Sequence, residues 1–232
     1  MKPTPSKKET DTSRKAMKAC KCEHGGKIPW NHNYAYNRWI SNQIGSRRRI
    51  LDVGCGNGTL ALFLRNDNND VLGIDPSERS VCWANGQNIY SNAAFLLTTF
   101  ENFQPNGQRF DAVIFVASIH HMNMVEALEK AKSLLAENGI LLIVGLAKPL
   151  NFLDWVVELS RIVPSQVVSA VKKNTTSEEL DMEVSYDFPT MGEVRRIAKR
   201  LLPGHKLQYG LYYRYLLSWE KPTGERFKIH TA

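Results

Sequence analysis

The residues best placed to do chemistry lie in one short stretch, Ile50-Leu51-Asp52-Val53-Gly54-Cys55-Gly56-Asn57-Gly58-Thr59. Its three glycines alternate with other residues, directly after an apolar run. Glycine lets the backbone turn tightly and lets a ligand lie against the main chain with no Cβ between them. The spacing is G-x-G-x-G, not the G-x-G-x-x-G of a dinucleotide site, and no G-K-[ST] ending of a phosphate-cradling loop follows. Asp52, just ahead of the first glycine, would repel a pyrophosphate but can accept a hydrogen bond from an ammonium group.

A second carboxylate follows at a telling distance. In Val71-Leu72-Gly73-Ile74-Asp75-Pro76-Ser77, Asp75 falls at the carboxyl end of the next apolar run, where an acid can accept both hydroxyls of a ribose. Either feature alone is also what a structural turn looks like. Together, in this order and spacing, they point to a nucleoside-bearing ligand with an amine at its other end. An acid at a strand end facing a cleft is expected to support little packing.

These groups need a scaffold that brings strand ends together. Short apolar runs at 49–53, 70–74, 93–97, 110–116 and 139–145 alternate with helix-forming stretches at 59–66, through 81 and at 125–135. Runs of five to seven residues separated by helices predict a parallel sheet covered on both faces, a doubly wound α/β fold. Ahead of them, Trp30, Tyr34, Tyr36, Trp39, Ile40 and Ile44 read as a helix leading into the fold and ending at Gly45. Beyond Pro149 the pattern loosens into a helical insertion over about 149–190. Phe152, Trp155, Val156, Leu159 and Ile162 sit there on a helical period, as a cover for the pocket or a membrane-touching face. A helix over 190–202 stops at Pro203-Gly204, and two runs at 207–209 and 212–219, joined around Gly210, predict a closing antiparallel pair.

Composition bounds the rest. With 232 residues, 43% hydrophobic and 23% charged, the chain suits one globular α/β domain over residues 28–232. No apolar run approaches the roughly 20 residues needed to span a bilayer, and the start lacks a secretory signal, so a cytoplasmic location is expected. The net charge of +7 owes much to Lys7, Lys8, Arg14, Lys15, Lys18, Lys21 and Lys27, within a basic arm at 1–27 that has little to bury, and a nucleic-acid partner is not expected. Four cysteines are too few and too scattered for a disulfide framework. Cys20, Cys22 and His24 offer three metal donors without a fourth at a sensible spacing, so no metal site is expected.

Leu51 to Thr59, Asp75, Phe110-Asp111-Ala112-Val113 and Leu135-Ala136-Glu137-Asn138-Gly139-Ile140-Leu141 resemble the class I S-adenosylmethionine-dependent methyltransferases. The flanks Trp30-Asn31-His32-Asn33-Tyr34, Leu202-Pro203-Gly204 and Tyr213-Arg214-Tyr215-Leu216-Leu217-Ser218-Trp219 are similar to bacterial members of unassigned substrate. The resemblance implies a seven-stranded sheet whose last strand is antiparallel, with S-adenosylmethionine bound at the carboxyl ends of the first strands. It implies that Asp52, Gly54, Cys55 and Gly56 hold the methionine end, and that Asp75 and Pro76 hold the ribose. The family's acid for the adenine amine is replaced here, with Thr99 the best match and Glu101 near by, while Phe100 either touches the ring or packs in the core. Val116 and Tyr34 would complete the cofactor wall, Tyr34 and His32 serving as a lid or as pins for a helix.

At the end of the fourth strand, Ser118, His120 and His121 would stand near the transferable methyl. A histidine with a pKa of about 6.5 can take a proton from an acceptor hydroxyl or ammonium; otherwise one of the pair caps the next helix and the other packs. The Asn-Pro-Pro-aromatic signature of amino-methylating nucleic-acid enzymes is absent. The expectation is a methyltransferase acting on a small-molecule acceptor by in-line transfer. The rivals are an RNA or lipid methyltransferase and a non-catalytic cofactor-binding protein, with a nicotinamide oxidoreductase disfavoured by the glycine spacing.

Overall fold

A computed structural model describes residues 32–148, 188–211 and 214–224. The basic arm, Cys20, Cys22 and His24, the side chain of His32, the helical run at 152–162 and the start of the run at 212 lie outside the described residues. A 3-10 turn, His32–Tyr36, leads into α1 (Asn37–Ile44), which ends at Gly45 with φ 59°. There follow β1 (Arg49–Val53), α2 (Thr59–Leu64), β2 (Asp70–Asp75), α3 (Glu78–Gln87), β3 (Ala93–Leu97) and β4 (Phe110–Val116). Then come α4 (Met124–Leu134), β5 (Leu135–Leu146), α5 (Met191–Leu201), β6 (Lys206–Tyr209) and β7 (Arg214–Glu220).

The seven strands lie in the order β3-β2-β1-β4-β5-β7-β6. β1 to β5 run parallel, and β7 runs antiparallel to both β5 and β6. The doubly wound class and the antiparallel last strand are as the sequence predicts. Because successive side chains on a strand point to opposite faces, the buried strands feed two cores. Leu51, Val53, Val113 and Phe115 pack with Leu128, Leu134, Val194 and Ala198 under α4 and α5. Ile50, Ala112, Ile114 and Leu142 pack with Ile40, Ile44, Leu60 and Val81 under α1, α2 and α3. The strand order reverses between β1 and β4, so their carboxyl ends open a crevice there.

Two boundaries differ from the sequence reading. β5 starts at Leu135, directly after α4, because Leu135 pairs with Phe110 before the register shifts and Asn138 (φ 59°) carries the chain into the main ladder. The aromatic lead-in begins as a 3-10 turn, and Tyr36 Oη donates to the Leu211 carbonyl between β6 and β7, docking that turn on the far side of the sheet. At the opposite edge, Asn92 O and Thr98 N bond to β2, so the carbonyls of Ala93 and Phe95 face outward by alternation. Side-chain amides of α3 and its C-cap cover them, Asn88 Nδ2 donating to Ala93 O at 2.7 Å and Asn85 Nδ2 to Phe95 O at 3.4 Å.

Gly145 of β5 and Tyr215 of β7 are paired across the ladder in close approach. A Cβ on Gly145 would overlap the fully buried Tyr215 ring. Gly145→Ala is expected to lower stability by about 1–3 kcal/mol, the usual cost of overpacking. Urea denaturation measures this; combining the change with Tyr215→Leu should recover part of the loss, and strict additivity of the two would count against this contact.

Candidate functional site

β1 delivers Val53 to the crevice, and the chain must then turn at once into α2. Gly54 (φ 72°) does this while lying so close to Ser118 that a Cβ would overlap that side chain. Gly58 (φ 76°) caps α2, with Phe95 and Ala84 occupying the space a Cβ would need. Left-handed backbone and close approach together account for glycine at both positions. Gly54 N and Cys55 N both donate to Ile74 O, at 2.8 and 3.0 Å, and so fasten the loop to β2.

Asp75 completes that attachment. Its Oδ2 accepts from Gly56 N at 2.8 Å and its Oδ1 from Ser77 N at 2.9 Å, while the Ser77 hydroxyl caps α3. The expectation that this acid supports little packing is corrected: it is buried and joins the glycine loop to the start of α3. Each oxygen still has acceptor capacity, since an ionised carboxylate offers about four lone-pair sites.

Asp52 has a different environment. It is 1% exposed, and its Oδ2 has no hydrogen-bond partner among the described residues. Burial first, and then the charge of Asp75, push its carboxyl up to about 7. Such a group is costly to ionise alone and suits a ligand that brings a positive donor. The neighbouring Cys55 thiol is buried and pushed up by burial and by both carboxylates, so it stays protonated and packs against Gly73.

Asp52, Gly54, Cys55, Gly56, Asp75, Pro76, Thr99, Phe100, Val116 and Tyr34 all line one cavity of about 550 Å³. Phe100 is both a wall of this cavity and a core residue, 4% exposed and edge-on to Phe115 at 5.3 Å. Thr99 turns its hydroxyl to Asn102 N at 3.2 Å and holds the loop after β3. Tyr34 is likewise a wall and a pin, since its hydroxyl donates to Thr59 Oγ1 at 3.3 Å, which donates to Asn57 Oδ1 at 2.7 Å.

The histidines part company. Ile119–His121 form a 3-10 turn after β4, and His121 lines the cavity. His120 is not among the lining residues; its ring lies 4.1 Å from His121 and 5.0 Å from Phe188, and its Nδ1 is buried without a partner. Burial, then His121 and Arg214, push it down to about 4, so it is a neutral imidazole. Neither histidine caps α4. Asn123 does so, its side chain accepting from Val125 N and Glu126 N.

Sequence reasoning missed several cavity residues, including Asn33, Asn37, Asn57 and Ser80. Asn57 carried a local signal, an amide between two glycines ahead of a helix. Asn33 carried none, because its partner is Arg214, which donates from Nε and Nη2 at 3.1 and 2.6 Å across 181 positions of sequence. Among the described residues no group of three or more His, Cys, Asp or Glu could hold a metal ion. No helix there is long and apolar enough to cross a membrane.

Residues 50–139 match the family described as "Methyltransferase domain". An uncharacterized methyltransferase of Mycobacterium tuberculosis is 28% identical over 199 residues, covering 84% of this chain and 98% of the relative. A ubiquinone biosynthesis O-methyltransferase of Rhodopseudomonas palustris is 36% identical over 101 residues, 42% of this chain and 40% of the relative. Among solved structures, the plantazolicin methyltransferase in complex with SAH shares the fold with a TM-score of 0.58 at 15% identity, covering 93% of this chain and 88% of that one.

The state of Asp52 is open to measurement without any ligand. Its folded pKa lies above the ordinary value of 3.8, so folding binds a proton between pH 4 and 7. The stability it contributes is full below that ordinary value and is lost as pH rises through about 7. Asp52→Asn removes this dependence. The variant's stability relative to the parent should therefore improve by roughly 2 kcal/mol between pH 5 and pH 8 in urea titrations; the same difference at both pH values would mean that the carboxyl is not perturbed.

Proposed function

We propose that the chain is a class I S-adenosylmethionine-dependent methyltransferase that methylates a small-molecule acceptor by in-line displacement in the cavity at the ends of β1, β2 and β4. The observation that carries the cofactor assignment is the Asp52 Oδ2, without a partner among the described residues, on a cavity that the backbone of the glycine loop also lines. That pairing fits a ligand with an ammonium at one end. Asp52 and the Gly54–Gly56 backbone hold the methionine end, and Asp75 accepts from the ribose hydroxyls. Pro76, Thr99, Phe100 and Val116 line the nucleoside side, and Tyr34 closes the wall from the lead-in turn.

S-adenosylmethionine supplies an electrophilic sulfonium methyl: the acceptor lone pair forms the new bond to carbon as the S–CH3 bond breaks, leaving a neutral thioether. The protein's part is alignment, exclusion of water, and where needed removal of the acceptor proton. We assign that last role to His121, which faces the cavity. His120, held neutral beside it, orients the imidazole by ring contact.

A small acceptor is favoured by what the cavity lacks. Its volume of about 550 Å³ is that of a small-molecule site, and no lysine or arginine lines it among the described residues. A nucleic-acid acceptor would be expected to bring phosphates to cationic side chains. The outer side of α5 does carry Arg195, Arg196, Lys199 and Arg200, all exposed, which is the observation favouring a polyanionic acceptor instead. Steeply salt-dependent RNA binding would support that second reading.

S-adenosylhomocysteine should raise the melting temperature, because a ligand bound only by the native state stabilises it by mass action, and NAD should not. A shift with NAD alone would overturn the assignment. Asp75→Ala should weaken S-adenosylhomocysteine binding at least roughly tenfold in calorimetry, since hydrogen bonds to a charged group contribute about 1.5–3 kcal/mol. Because Asp75 also joins two loops, some stability should go with it.

His121→Ala gives a different signature. Turnover should fall by roughly 100-fold, the lower end of general-base contributions, while S-adenosylhomocysteine affinity holds. If cofactor affinity falls and turnover of bound cofactor does not, His121 is a wall and not a base.

A further inference from the structure

We propose that Ser118 is a positioning residue that sets the cofactor loop against the acceptor side of the cleft, through its hydroxyl on one side and its main-chain carbonyl on the other. The inference rests on reading the cavity as an S-adenosylmethionine site. Ser118 is 6% exposed and forms part of the cavity wall. Its Oγ donates to Val53 O at 2.6 Å, joining residues 65 positions apart.

This hydroxyl adds a second donor to a carbonyl at the end of the ladder. Val53–Phe115 is the last pair between β1 and β4, and it turns Val116 N toward Val53 O. Just past β4, the Ala117 amide faces the other neighbour, donating to Val144 O at 2.8 Å. Ala117 sits at φ 52°, a left-handed conformation that costs a non-glycine residue energy and tends to occur where the surroundings impose it. Ser118 follows it with its side chain on β1, where Oγ reinforces the hold on Val53 O and Cβ occupies the space beside Gly54 where a Cβ would otherwise lie.

The same residue fixes the opposite wall. Ser118 O accepts from His121 N at 3.1 Å and closes the 3-10 turn that presents His121 to the cavity. One residue therefore touches both the first peptide of the glycine loop and the histidine turn. Without the hydroxyl, Val53 O keeps only its ladder donor, and the peptide that opens the glycine loop is held less firmly. Loss of the hydroxyl should thus displace the Val53–Gly54 peptide, and with it the methionine end of the cofactor, while the ribose carboxylate stays on its own supports at Gly56 and Ser77.

The experiment compares two probes, S-adenosylhomocysteine and adenosine, in calorimetry on the full chain. Ser118→Ala should weaken S-adenosylhomocysteine roughly tenfold or more and adenosine by less than about twofold, because adenosine lacks the methionine end. Ser118→Cys keeps a weak donor and should fall between the parent and the alanine variant; if Ser118→Ala does not fold, the cysteine variant gives the same contrast between probes. Equal weakening of both probes would show general loosening and overturn the proposal, as would no weakening of either. Failure of the parent protein to bind S-adenosylhomocysteine would overturn the cofactor reading itself, and is thereby distinguishable.

Discussion

Two carboxylates buried at the ends of adjacent strands are the constraint around which the rest of the site is arranged. A carboxylate in an apolar core needs donors or counter-charges, and Asp75 adds to the cost of charging Asp52. The chain resolves this unequally. Asp75 receives two backbone N–H groups, from Gly56 and Ser77, which is possible only if the glycine loop folds over the end of β2. Asp52 is left with an oxygen that no group among the described residues satisfies. The left-handed glycines, the two hydrogen bonds to Ile74 O and the capped start of α3 are the conformational means by which one acid is satisfied and its neighbour is not.

That division of labour also orders the cleft from one end to the other. Satisfied polarity lies at one end, where Asp75 accepts two backbone N–H groups and α3 is capped. Unsatisfied polarity lies at Asp52, and beyond it the histidine turn sets a neutral His120 ring beside His121, which lines the cavity. The cavity is therefore asymmetric in charge as well as in shape.

Much of this was legible in the sequence because it is local. The G-x-G-x-G spacing and Asp75 each report on a turn or strand end within a few residues, and the ten residues that the resemblance implied for the cofactor line one cavity. The strand and helix order was legible for the same reason: short apolar runs between helices have few other solutions. What escaped were contacts made across the sequence. Nothing near Asn33 announces Arg214, and nothing near Val53 announces Ser118, because both pairings exist only once β4 and β7 are placed. The capping of α4 by Asn123 was readable in principle, as an asparagine two residues before Val125, but the histidine pair drew attention from it. The structural service of Asp75 was hidden by its chemistry: an acid suited to a ribose gave no sign that it also holds two loops.

The edge strand β3 carries a further implication. Leu96 and Leu97 are about half exposed there, at the margin where another chain could add itself to the sheet. Yet the outward carbonyls of Ala93 and Phe95 are already engaged by Asn85 and Asn88. A foreign strand pairing at these two carbonyls must first dislodge two amides anchored on a helix and its cap, so part of the exposed margin is already occupied by the chain itself.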